Sequence, residues 1–186
     1  MEDKDIVALY FARSEEAITE TEKKYGRYCR FIASNILASS EDAEECVNDA
    51  YMRAWMAIPP SHPILLSSFL GKITRNLALN RLGQYSAQKR GGGQVEILLS
   101  ELDDCIPAKS GVEQTVDGMM LSEAIDCFLE GLPELKRRVF VQRYWYLMPI
   151  SEIARDNAVS ENRVKLMLYR IRIALRSYLE KEGITF

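Results

Sequence analysis

Asn162, Arg163, Lys165, Leu166, Tyr169 and Arg170 fall within nine residues of the stretch VSENRVKLMLYRIRIALRSYL, Val159–Leu179. Arginine and lysine contact guanine or phosphate, and an amide reads base edges, so this set suits duplex nucleic acid. Arg172 and Arg176 extend the basic side further along. A second cluster comprises Lys72, Arg75, Asn76, Asn80 and Arg81, followed by Tyr85, Lys89 and Arg90. Amides among bases, then an aromatic ring, suit an unpaired strand: the cations track phosphates and the ring stacks on a base. The same pattern is also that of a basic solvated helix face. A third set is acidic and soft: Glu45, Asn48, Asp49, Met52 and Arg53, with Met56 beyond. Methionine adapts its shape to a partner, so two methionines beside a carboxylate and an amide read as a contact surface. A plain solvated face is the other reading of those residues.

Catalytic and metal-binding constellations are absent from this pattern. The one histidine, His62, sits between Pro60 and Pro63, which leaves no support for a Ser/His/Asp arrangement. The carboxylate pairs Asp103–Asp104 and Glu44–Glu45 are adjacent in sequence, and neighbouring helix positions do not converge. Cys29, Cys46, Cys105 and Cys127 have no CxxC spacing and make a poor zinc set, so they read as scattered reduced thiols. We therefore expect no enzyme activity, no catalytic residue, no metal and no cofactor. The N-terminal MEDKDIVALYF lacks the layout of a signal peptide, and no apolar run approaches a membrane span. The expected location is cytoplasmic, with no direct membrane insertion.

The formal net charge of −3 argues against a generic nucleic-acid coat, but its distribution is uneven. Five acids and no base lie between Glu41 and Asp49; five bases and no acid lie between Lys72 and Arg90. Glu96–Asp117 is acidic, and Glu161–Arg176 is basic again. Two basic blocks separated by acid fit a protein that meets DNA at two places and something basic at a third.

The elements that must carry these residues are helical throughout. Apolar residues recur at three- and four-residue spacing, predicting helices at about 5–11, 14–37, 41–57, 66–84, 119–131, 134–147, 150–156 and 161–181. Ser39, Ser40 and Ser160 are candidate N-caps. The stripe Ala43, Cys46, Val47, Ala50, Tyr51, Ala54, Trp55 and Ile58 is expected inside, as are Leu66, Phe69, Leu70, Ile73 and Leu77. Val164, Met167, Leu168, Ile171, Ala174, Leu175 and Tyr178 form the expected inner face of the last helix. The short ISEIARD helix, the connection NAVS and the long helix after it make a helix-turn-helix. QKRGGGQVE is a break, and LDDCIPAKSGVEQ has little periodicity. The expected architecture is all-α: a domain over 1–84, a flexible linker over 85–117 and a second domain over 118–186.

At the level of motifs, DAEECVNDAYMRAW resembles the conserved second-region helix of bacterial extracytoplasmic-function (ECF) sigma factors. ITRNLALNRL resembles the promoter-melting helix that follows it, and LPELKRRVFVQRYWYLMPISEIARDNAVSENRVKLMLYRIRIAL resembles the fourth-region DNA-binding domain. Order and spacing match over about Glu15–Leu179. The resemblance implies a factor that binds core RNA polymerase and directs promoter-specific transcription initiation. Glu45, Asn48, Asp49, Met52 and Arg53 would dock on the clamp of the β′ subunit. Lys72, Arg75, Asn76, Asn80 and Arg81 would engage the −10 element where strands separate. Asn162, Arg163, Lys165, Leu166, Tyr169 and Arg170 would contact the −35 duplex, with Leu166 at a thymine methyl or on a sugar edge. Family members are commonly held inactive by an anti-sigma factor, a further implied partner. Phe69 stands where a tryptophan is common, and Gly71 where an aromatic is common. The alternative is a stand-alone dimeric helix-turn-helix regulator, which would account for Val159–Leu179 but not for the Met52 face or the basic middle helix.

Overall fold

In the computed structural model of the chain, the described residues are 1–88, 100–102, 105 and 114–184, without the side chains of 85–88 and 114–120. Regular structure among them is entirely helical. The chain divides into two compact units, Met1–Gly91 and Gly92–Phe186.

The first unit holds α1 (Asp3–Phe11), α2 (Glu16–Ile36), α3 (Ser40–Ala57) and α4 (Leu66–Gln88). The predicted helix from 14 begins later, because Arg13 takes a left-handed φ of 53° between α1 and α2. Ser39 caps α3: its hydroxyl accepts from the Asp42 N–H at 3.2 Å, and Glu41 and Asp42 lie against the positive end of the helix dipole. α2, α3 and α4 pack on one another, and α1 closes over α2. Ile6, Tyr10, Cys29, Ile32, Ala33, Cys46, Val47, Ala50 and Ala54 fill the interior. Removing each large aliphatic side chain of this set from water stabilises the fold by about 1.5–3 kcal/mol before entropy is counted. Tyr10 shares a 2.9 Å hydrogen bond with Thr21, so neither buried hydroxyl is unpaired.

α4 departs from its predicted face. Leu66 and Leu70 are buried as expected, but Thr74 and Ala78 complete the inner row, while Phe69, Ile73 and Leu77 are only half-buried. The reason is crowding. A Cβ on Gly71 would lie 2.5 Å from Tyr28 Oη, so α4 approaches α2 too closely for large side chains on that line. Thr74 meets its buried polar demand by donating to the Leu70 carbonyl at 2.9 Å. The helix also runs on to Gln88 rather than ending near 84.

The second unit holds α5 (Gln114–Glu130), α6 (Glu134–Tyr144), α7 (Ile150–Asp156) and α8 (Glu161–Lys181). α6 stops short of the predicted 147 because Leu147 adopts φ 56°, a bend that turns Leu147 and Met148 into the core. Pro149 then precedes α7. Val139, Phe140, Tyr144, Ile153, Val164, Leu168, Ile171, Leu175 and Leu179 form the interior. On α8 the inner row is narrower than predicted: Met167 and Tyr178 are half-buried and Ala174 is exposed.

Part of the stretch read as linker belongs to this unit. Residues 100–102 are helical, and Cys105 is buried. Glu101 holds them in place: its carboxylate accepts from Arg143 Nη2 at 2.7 Å, Tyr144 Oη at 2.9 Å and Arg172 Nη1 at 3.2 Å. Residues 85–88 continue α4 and 114–117 open α5. The remainder of the expected linker, including RGGG, lies outside the described residues.

Candidate nucleic-acid interface

α8 is presented by a short turn that is tied down on both sides. After α7, the Ala158 φ of 52° reverses the chain, and the Val159 N–H donates to the Ala154 carbonyl at 3.0 Å. The Ser160 hydroxyl accepts from the Arg163 N–H at 3.3 Å and caps α8. Asn157 locks the turn to α6. Its amide nitrogen donates to Gln142 Oε1 and to the Ile153 carbonyl, both at 2.7 Å, and its oxygen accepts from Arg138 Nε at 2.8 Å. With Val164, Leu168 and Ile171 buried beneath, the first turns of α8 project from a braced base.

Asn162, Arg163, Lys165, Leu166, Tyr169 and Arg170 are all exposed on this projecting face, as the spacing predicts. Ile173 joins them at 53% exposure, a residue that sequence reasoning passed over because its helical period alone makes it a flank of the core. Arg172, expected on the outer side, turns inward instead. Its guanidinium donates to Tyr144 Oη at 2.7 Å and pairs with Glu101. Burial pushes the Tyr144 phenol well above its ordinary value; Arg172 opposes that and the Glu101 charge adds to it. Arg176 pairs with Glu180 at 3.1 Å on the surface.

On α4, Lys72, Asn76 and Asn80 stand exposed at every fourth position, so they make one row. Arg75 is half-buried beside them, and desolvation lowers its pKa. Arg81 does not extend the row into solvent. Its Nη1 donates to the Asp42 carbonyl at 3.0 Å and pairs with Glu45 Oε2 at 3.1 Å, while Nη2 lies 3.8 Å from Asp49 Oδ2. This arginine ties α4 to the acidic face of α3. The Tyr85 side chain, Lys89 and Arg90 lie outside the described residues.

Glu45, Asn48, Asp49, Met52 and Arg53 are exposed along α3, with Met52 at 48% and Met56 at 66%. Asp49, Met52, Arg53, Met56 and Leu77 line an open depression of about 440 Å³ between α3 and α4. Two exposed methionines thus stand beside charged groups on this face. His62 is stacked on Phe11 with ring centroids 4.0 Å apart, a packing role.

Two stretches of the chain match known family models. A model of sigma-70 region 2 matches residues 23–88, and a model of sigma-70 region 4 matches residues 122–175, together nearly two thirds of the chain.

The chain belongs to the sigma-70 family.

The region 2 match runs from α2 to the end of α4 and so contains the methionine face and the Lys72–Asn76–Asn80 row. The region 4 match runs from α5 into α8 and contains the helix-turn-helix. Both place the chain among sigma factors, DNA-binding proteins of transcription initiation that act in promoter recognition. Comparison with curated proteins gave no match. Among the described residues no helix is long and apolar enough to cross a membrane.

Proposed function

We propose that this sigma-70 protein is of the extracytoplasmic-function type and directs core RNA polymerase to promoters through three separate faces. Its working parts are a region 2 domain that runs to the end of α4 and a region 4 domain that holds α5–α8 and takes in residues 100–102 and Cys105 from the stretch read as linker. Glu45, Asn48, Asp49, Met52 and Arg53 dock on the β′ clamp. Lys72, Asn76 and Asn80, with Arg75 beside them, meet the −10 element where strands separate. Asn162, Arg163, Lys165, Leu166, Tyr169 and Arg170 enter the major groove of the −35 duplex.

The observation that carries this reading is the pairing of two DNA-competent faces of different chemistry in one chain. The α4 row mixes one lysine with two amides, which suits exposed bases. The α8 face is a helix-turn-helix recognition helix, which suits a duplex. Arg81 supports α3 rather than the DNA row, since three acidic residues surround it. An anti-sigma factor would act by covering one of these faces.

In vitro transcription with core polymerase on a promoter library tests the proposal. Transcripts that start a fixed distance from two recurrent elements, and that need both chain and core, are expected. No transcript above core alone refutes it.

A further inference from the structure

On the outer side of α8 the charged groups are not where the helix reaches deepest. At 100° per residue, Leu166 stands opposite the buried row Val164, Leu168, Ile171 and Leu175. Tyr169 and Ile173 share its line, and the three are 47%, 56% and 53% exposed. Arg163 and Arg170 flank this line on one side, Lys165 and Arg176 on the other. The helix therefore carries an apolar ridge between two rows of cations. A protein partner does not call for cations on both flanks; a duplex groove, walled by two phosphate backbones, does.

We propose that the ridge reads thymine: Leu166 and Tyr169 pack against the C5 methyl groups of thymines in the major groove of the −35 element, while Arg163, Arg170 and Lys165 hold the two backbones. This rests on the −35 assignment above. Asn162, exposed on the same line one turn nearer the start of α8, is placed to read a base edge by hydrogen bonding, whereas an aliphatic side chain such as Leu166 finds one apolar feature in the groove, the thymine methyl. Leu166 lies five residues beyond the start of α8 and Tyr169 eight, within the part of a recognition helix that meets bases. The two are about 4.5 Å apart along the axis, close to one base-pair step, so they address neighbouring pairs. Ile173 continues the ridge outward, toward the groove edge.

Replacing single thymines of the −35 element by deoxyuridine removes the methyl and leaves base pairing intact. The full chain with core polymerase is assayed by competition between thymine and deoxyuridine duplexes of a promoter it transcribes. We expect about fourfold weaker binding at one or two positions, the factor one buried methyl commands. Leu166→Ala should abolish that discrimination at one position, Leu166→Met should keep part of it, and Tyr169→Ala should abolish any discrimination at the neighbouring pair. Arg170→Ala should weaken both duplexes alike and reduce the salt slope by about one. Equal binding of thymine and deoxyuridine promoters at every position overturns the inference while leaving the sigma-factor reading in place. So does discrimination that survives Leu166→Ala and Tyr169→Ala together, because the methyl then acts through DNA shape. A ridge variant that alters self-association but not discrimination assigns the ridge to a protein contact and also overturns it. Failure to bind any promoter with core present overturns the functional reading itself, and this inference with it.

Discussion

Replacing Glu101 with alanine should destabilise the second unit by about 2 kcal/mol. The magnitude follows from where the carboxylate sits. It faces the Arg143 guanidinium, 12% exposed, and the Arg172 guanidinium, 24% exposed, and is itself 26% exposed. Exposed ion pairs contribute about 0.2–1 kcal/mol, and removing one partner from a fully buried pair costs about 3–5 kcal/mol. Water reaches a quarter of this carboxylate, which lowers the cost, but its loss leaves two like charges near one hydroxyl, which raises it. Urea denaturation followed by Trp145, in a Trp55→Phe background, isolates this unit; an accompanying fall in Tm of about 10 °C is expected. Arg172→Ala combined with Glu101→Ala should cost less than the two single changes added. Cys105, 2% exposed in the native chain, should become open to alkylation once residues 100–105 lose their anchor. A destabilisation under about 0.5 kcal/mol with Cys105 still protected would refute the anchoring, and the segment would then be the plain linker that its composition predicts.

Asp49→Arg should weaken core polymerase binding by at least about tenfold and cost the fold less than about 1 kcal/mol, since Asp49 is 54% exposed and its pair with Arg81 is long at 3.8 Å; titration of labelled core and a melt measure both, and unchanged affinity in a folded variant removes α3 from the docking face. Asn80→Ala should impair transcription from a duplex promoter more than from a pre-melted one, and equal defects on the two would argue against a role in strand separation. At pH 8, Cys127 should react first with a thiol reagent, being the exposed cysteine of the described set. Cys46 should lag, because burial pushes its thiol up to about 11, with Arg81 opposing in part. Its thiolate fraction at pH 8 is then about one in a thousand. Its rate should climb as pH approaches that value, and a Cys46 as fast as Cys127 at pH 8 would contradict the packing of α3 on α4.

The local features of this protein are those its sequence determines. A cap, a helical period and a two-sided helix depend on residues within four positions of one another, so Ser39, Ser160, the methionine face of α3 and the exposed face of α8 could all be read in order along the chain. Motif order likewise sufficed to expect sigma regions 2 and 4. The tertiary structure decided which charges are available and which residues are small by necessity. Arg81 looks like one more base on a basic helix until Asp42, thirty-nine positions earlier, is brought beneath it. Arg172 looks like a groove contact until Glu101, seventy-one positions away, turns it inward. Thr74 and Ala78, rather than Ile73 and Leu77, line the core because Tyr28 approaches Gly71 from another helix. Each of these outcomes depends on a distance between elements, and periodicity along one helix carries no information about what lies across from it.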